Sequence, residues 1–248
     1  MSDATLPWSF IITMAGMGSR FRKAGFDCPK YMIEVCGKTL FEWSLVGLQD
    51  LAAADDRFVF IARKEDQAFD FISHKTSAMG LRNVQLIELD APTDGQATTA
   101  ILAMEAIAPQ HPIAIFNIDT GLVAGALQRQ DAVGDGWIPC FRAAGDAWSF
   151  CRVDATGGVV EVREKVRISD FATIGLYWFR SAQLYSDAYA RYYSVAGREE
   201  KGERYVAPLY NQIINDGGSV SLSEVGMSDV IALGTPEEVA RFESSNIN

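Results

Sequence analysis

Histidine and cysteine are scarce in this chain, with two and four copies in 248 residues. His74 and His111 stand far apart and read as surface residues rather than metal ligands. None of Cys28, Cys36, Cys140 and Cys151 forms a Cys-x-x-Cys pair, which argues against a zinc site or a disulfide framework and for reduced thiols in a cytoplasmic protein. No apolar run reaches the roughly 18 residues of a membrane span, so no membrane association is expected. Met1–Thr5 lacks the basic start of a secretory leader. Repeats, low-complexity tracts and linkers are missing too, so a single domain is expected. Positive charge is in deficit, 22 Lys and Arg against 32 Asp and Glu for a net −10, which argues against a nucleic-acid partner.

The positive charge that exists is concentrated early. Residues 1–40 hold Arg20, Arg22, Lys23, Lys30 and Lys38 against Asp3, Asp27 and Glu34, while the rest of the chain is strongly acidic. Arg22 and Lys23 read as the solvated face of a helix. Arg20 and Lys30 lie within Met14–Lys30, which follows the apolar run Phe10-Ile11-Ile12 and breaks into Ala15-Gly16-Met17-Gly18-Ser19-Arg20. A strand that ends in such a loop is suited to phosphate. Gly16 and Gly18 let backbone approach an anion, the N–H groups of the following helix start point at it, and Arg20 offers a fork of donors. Pro29 stiffens the approach of Lys30, a second, point-like charge. The loop is neither of two common phosphate motifs. Phe21 stands where a dinucleotide fingerprint needs its third glycine, and the Gly-Lys-Ser/Thr of a Walker loop is absent.

Strand-like and helix-like segments alternate through the first half. Strands are expected at Ser9–Thr13, Phe58–Ala62, Val84–Leu89 and Ile113–Phe116, with a short apolar segment at Tyr31–Val35. Helices are expected at Thr39–Ala52, Glu65–Ala78 and Gln96–Ile107; Thr39 and Glu42 are spaced as a capping box. Such alternation implies a mostly parallel sheet with helices on both faces. The second half reads as more antiparallel. Trp137–Arg142, Ser149–Val153, Val159–Val162, Ala172–Phe179, Ser219–Glu224 and Val230–Leu233 are strand candidates, with Asp154–Gly158 as a hairpin turn. Helices are expected at Ala182–Tyr193, Tyr205–Asn215 and Pro236–Phe242, the last with Thr235 before a proline at its first position, and the tail Ser244–Asn248 is expected to fray.

Asn117-Ile118-Asp119 closes the strand Ile113–Phe116. In open α/β sheets ligands bind outside the carboxyl ends of strands. A carboxylate there, facing a phosphate loop, suits Mg²⁺, which takes one or two protein carboxylates plus substrate phosphates. Asp119 is the expected metal ligand.

Ala15-Gly16-x-Gly18-Ser19-Arg20 followed by Pro29-Lys30 resembles the signature of the sugar nucleotidyltransferase (nucleotide-sugar pyrophosphorylase) family, and the resemblance runs from Ile11 to about Glu238. It implies an α/β, Rossmann-like nucleotide-diphospho-sugar transferase (GT-A-like) fold with a mixed, mostly parallel central sheet. One nucleotidyltransferase domain over 1–248 would divide into a nucleotide-binding half at about 9–120 and an acceptor-binding half at about 121–242. The implied reaction joins a nucleoside triphosphate to a phosphorylated small-molecule acceptor and releases pyrophosphate, with Mg²⁺ as cofactor. Arg20, Lys30 and Asp119 would be catalytic, Ala15 through Arg20 with Gly95 and Gln96 would bind nucleotide, and Glu164, Lys165, Gly175 and Tyr205 the acceptor. Asp94-Gly95-Gln96 is similar to the family's base-reading loop, which favours a pyrimidine. There the glycine leaves room for the base.

Many members carry a second metal carboxylate two residues before a Gly-Thr pair. Here Gly234-Thr235 is present and that position is Ala232, with Asp229 as the substitute considered. Gly202–Asn211 looks like a segment of small bacterial enzymes tied to surface-polysaccharide synthesis. A homo-oligomer is compatible with this reading. Two rivals stand beside it. One is a GT-A-type glycosyltransferase using Asn117-Ile118-Asp119 as a weakened metal motif, against which Arg20 and Lys30 count. The other is a non-catalytic nucleotide-sugar sensor, which Ala232 favours.

Overall fold

The computed structural model describes residues 6–246. Met1–Thr5, where no leader is expected, and the last two residues of the tail lie outside the described residues. In chain order, β1 (Ser9–Thr13) leads through the glycine loop into α1 (Ser19–Lys23), the two-residue strands β2 (Glu34–Val35) and β3 (Lys38–Thr39), and α2 (Leu40–Gln49). There follow β4 (Arg57–Arg63), α3 (Phe69–Ala78), β5 (Val84–Leu89), α4 (Gln96–Ile101), β6 (Ile113–Asn117) and β7 (Thr120–Leu122). The second half contains β8 (Gly136–Arg142), β9 (Ser149–Val153), β10 (Val159–Glu164), β11 (Phe171–Thr173), β12 (Leu176–Phe179), α5 (Ala182–Tyr192) and α6 (Leu209–Asn215). The chain closes with β13 (Val220–Glu224), β14 (Val230–Ala232) and α7 (Pro236–Asn246).

Ten strands form one mixed sheet in the order β10-β9-β11-β8-β12-β6-β1-β4-β5, with β13 beside β8. The run β6-β1-β4-β5 is parallel. β12 enters antiparallel between β6 and β8, and β8, β11, β9 and β10 continue antiparallel. The strand alternation of the first half and the hairpin patterning of the second thus meet in one sheet.

Side chains alternate faces along a strand, and the central strands are apolar on both sides. Phe10 and Ile12 pack with Phe58, Phe60 and Phe116 on one face; Ile11 packs with Val59, Ile61 and Ile115 on the other. Residues buried on both faces are what a parallel sheet covered by helices requires. The capping box of α2 forms: Glu42 N–H donates to Thr39 Oγ1 at 3.3 Å and Thr39 N–H donates to Glu42 Oε2 at 2.8 Å. That helix packs closely on β7, where a Cβ on Gly47 would stand 2.4 Å from Leu122 Cβ.

Several expected elements are shorter because the backbone turns. Gln67 at φ +47 separates a 3-10 turn from α3, so the helix begins at Phe69 rather than Glu65. α4 ends at Ile101, and Met104–Ala106 is a 3-10 turn. The strand expected over 172–179 breaks at Gly175, φ +84, into β11 and β12. α6 starts at Leu209 after Pro208, which leaves Tyr205 in a loop. Tyr31–Val35 divides between the 3-10 turn Lys30–Met32 and β2. The hairpin turn is as expected, with Asp154 Oδ1 accepting from Thr156 N–H at 2.8 Å and Gly158 N–H at 3.1 Å. α7 reaches Asn246, past the expected end at Phe242.

Candidate active site

A cavity of about 550 Å³ opens at the carboxyl ends of β1 and β6, and reaches across to the ends of β9–β12. Ala15, Gly16, Met17 and Arg20 line it from the loop after β1, while Gly18 and Ser19 do not. A Cβ on Gly16 would meet nothing within 4 Å, so the loop backbone is open. Gly18, at φ +59, makes the turn into α1. Arg20 is exposed and forms no ion pair among the described residues.

Lys30 crosses to Asp119 at the end of β6, with Nζ donating to Oδ2 at 2.9 Å. The side chains keep only 18% and 32% of their exposure, so the pair is partly desolvated. Its approach is fixed from behind. The Tyr31 hydroxyl donates to Asp66 Oδ2 at 3.1 Å, and buried Arg63 pairs with Asp66 while its Nη1 reaches Met17 Sδ at 3.3 Å. One guanidinium therefore ties the Lys30 segment to the glycine loop. Burial, then the Asp66 charge, pushes the Tyr31 hydroxyl pKa far above its ordinary value, so it stays protonated and donating.

Gln96, at the first position of α4, points its Nε2 at Thr13 Oγ1 (3.2 Å) and at Asn117 Oδ1. Thr13 gives its own proton to the Phe116 carbonyl at 3.3 Å, so its oxygen faces Gln96 as an acceptor. That fixes the amide orientation and leaves Gln96 Oε1 as an acceptor with no hydrogen bond among the described residues. The expected reason for Gly95 differs from what its surroundings show. At φ +144, its Cβ would stand 2.4 Å from the Arg204 carbonyl oxygen. The backbone of the 203–205 loop occupies that side. Arg204 N–H donates to Asp94 O at 2.8 Å, and Ala97 N–H donates to Arg204 O at 3.0 Å.

At the far end of the cavity Glu164 is nearly buried, with 9% of its side chain exposed, and accepts from the Ser149 hydroxyl. Burial raises its pKa, against the opposing pull of Ser149 and Lys165. Lys165 donates to Tyr205 Oη at 2.6 Å, and its ammonium stands 4.4 Å from that ring's centroid. Gly175 is required beside them: a Cβ there would stand 2.6 Å from Asn117 Nδ2. Tyr177 also lines the cavity, with its buried hydroxyl 3.0 Å from Thr173 Oγ1, and Tyr210 is wholly buried as packing.

The C-terminal segment also reaches the site. β14 pairs with β7, and Leu233 N–H donates to Asp119 O at 2.9 Å, which brings Gly234 against Asp119. Asp229 does not line the cavity; its Oδ2 sits against Gly226 in a turn before β14. Glu238, on the first turn of α7, does line it. Ser149 and Glu238 were not among the residues singled out by motif. Ser149 carries no local signal. Glu238 carries one, because it stands three residues after the cap Thr235.

A solved structure with 35% identity, the nucleoside-diphosphate-sugar pyrophosphorylase from Vibrio cholerae RC9, superposes with a TM-score of 0.88 over 95% of this chain and 99% of its own. The chain belongs to the sugar nucleotidyltransferase family. This sugar nucleotidyltransferase shares its fold with two more distant structures. The inositol-1-phosphate CTP transferase from T. maritima matches at 15% identity and TM-score 0.74, over 93% of this chain and 90% of the other. A putative glucose-1-phosphate thymidylyltransferase from Bacillus anthracis, in complex with sucrose, matches at 17% and 0.75, over 97% and 96%. No family model and no curated protein matches the chain. It is an enzyme of the nucleotidyltransferase class, and no helix among the described residues is long and apolar enough to cross a membrane.

Proposed function

We propose that this enzyme transfers the nucleotidyl group of a pyrimidine nucleoside triphosphate to a phosphorylated small molecule, a sugar 1-phosphate or a related acceptor, and releases pyrophosphate. The observation that carries this reading is the Lys30–Asp119 pair lining one cavity that also holds the open glycine loop and Arg20, which has no ion pair among the described residues. Residues 9–120 would then form the nucleotide half and 121–242 the acceptor half. Gln96 Oε1 suits a base edge that offers an N–H donor, as cytosine and uracil do. Glu164, Ser149 and Tyr205 offer hydroxyl-binding groups at the acceptor end, and the Lys165 ammonium offers a charge for the acceptor phosphate.

The acceptor phosphate oxygen attacks the α-phosphorus, the α–β bridging bond breaks, and pyrophosphate leaves. No covalent enzyme intermediate is needed; the protein positions and neutralises. Arg20 stabilises the charge on the departing β- and γ-phosphates. Lys30 holds the α-phosphate or the attacking phosphate in place. The donor set fits a hard cation, since Asp119 presents a carboxylate beside the open backbone of Gly234. Mg²⁺ bound there would supply Lewis-acid polarisation of the phosphate oxygens.

The free thiols of exposed Cys28 and Cys36 support a cytoplasmic setting, and the Gly202–Asn211 segment supports a role in building surface polysaccharide. A glycosyltransferase would have no pyrophosphate to expel and no use for Arg20 and Lys30 together. Arg20→Ala and Asp119→Ala should each lower pyrophosphate release by roughly 10²-fold or more. A near-parental rate in either variant would contradict the assignment.

A further inference from the structure

The proposed reaction needs a cation beside Asp119, yet neither Ala232, where the resemblance would place a second carboxylate, nor Asp229, which lies off the cavity, supplies one. Another carboxylate is present. Thr235 caps α7 by accepting from Glu238 N–H at 3.2 Å, which is one half of a capping box. At α2 the other half is made, with the Glu42 carboxylate accepting from the cap residue's N–H at 2.8 Å. Glu238 makes no such return bond and no ion pair among the described residues. Its carboxylate instead leans over Gly234 into the cavity. Oε2 stands 3.4 Å from the point a Gly234 Cβ would occupy, and Asp119 Oδ2 stands 3.8 Å from that same point.

Gly234 does not have a positive φ, so its backbone does not demand glycine. What the missing side chain provides is an open cradle between two carboxylates. Lys30 neutralises Asp119, while Glu238 has no protein counter-charge among the described residues. A helix start tolerates an anion, but that alone would favour closing the capping box rather than opening it. Mg²⁺ is ordinarily held by one or two carboxylates together with substrate phosphates.

We propose that Glu238, from the last helix, is the second carboxylate of the cation site and acts with Asp119 in the role closed to Ala232. This rests on the nucleotidyltransferase reading of the same cavity. It concerns only which side chains hold the ion.

Mn²⁺ can stand in for Mg²⁺, and its binding is read directly by electron paramagnetic resonance in the presence of CTP or UTP, independently of turnover. Glu238→Gln preserves size and removes charge. It should weaken Mn²⁺ binding in the protein–nucleotide complex at least tenfold, with metal-free nucleotide affinity and Tm unchanged. Gly234→Ala keeps both carboxylates but fills the cradle, and should weaken Mn²⁺ as well. Asp229→Asn should bind Mn²⁺ as the parent does. Parental Mn²⁺ affinity in Glu238→Gln would overturn the proposal, and loss of Mn²⁺ in Asp229→Asn alone would move the role there. A parent that binds Mn²⁺ with neither nucleotide would overturn the underlying nucleotidyltransferase reading too.

Discussion

Burial decides what Glu164 can do. Its raised pKa comes first from desolvation, and Ser149 and Lys165 only partly offset that cost. For a carboxyl group raised in the fold, the sign is clear: the ionised form is disfavoured in the native state, so stability is lost as pH rises through the native value. Glu164→Gln removes the titration. The variant should melt at the same temperature as the parent well below pH 4.5 and at a higher temperature above the native pKa, while acceptor binding weakens. Thermal unfolding from about pH 3 to pH 8 checks this; a parent and variant that track each other across the range would contradict it.

At this scale the meeting of Arg20, Lys30 and Asp119 around one cavity was legible because they follow β1 and β6, whose carboxyl ends face it. Ser149 was not, since a lone serine on a strand carries no signal until Glu164 folds across from β10. Where Asp229 and Glu238 lie relative to the cavity was not legible for a similar reason. Asp229 is near Gly234 in sequence but sits in a turn, and Glu238 is brought over Gly234 by the first turn of α7.

The elements show a comparable division. α2 was legible because Thr39 and Glu42 specify its start locally. The breaks at Gln67 and Gly175 were not, because a single residue in a left-handed conformation interrupts an otherwise continuous apolar pattern. β7 is three residues long and owes its existence to β14, more than a hundred positions later. Gly95 belongs here as well. It lets the Arg204 backbone strap the loop before α4 to the loop that carries Tyr205, so the two halves of the cavity are physically joined. Gly95→Ala would force a strained φ and a contact with main-chain atoms that cannot swing aside. It should cost about 1–3 kcal/mol of stability and weaken both nucleotide and acceptor binding. Urea unfolding with nucleotide titration measures both, and a neutral substitution would show that the strap is loose.

Across the whole molecule, one mixed sheet does two jobs. Its parallel side ends in the glycine loop and Asp119, and its antiparallel side ends in Glu164, Lys165 and the Gly175 bend. The alternating pattern of the first half made the parallel part legible. How β12 joins the two parts was not, because a four-residue strand cannot announce that it will pair with β6 on one side and β8 on the other. In a chain of net −10, the cavity brings Arg20, Lys30 and Lys165 together with Asp119, Glu164, Glu203 and Glu238.

The most direct measurement is pyrophosphate release with Mg²⁺, taking ATP, GTP, CTP, UTP and dTTP in turn against a pool of sugar 1-phosphates and other phosphorylated small molecules. Release that depends on both substrates, with a pyrimidine triphosphate preferred, is the predicted result. Pyrophosphate from none of them, or hydrolysis of a nucleotide sugar in its place, would contradict the account.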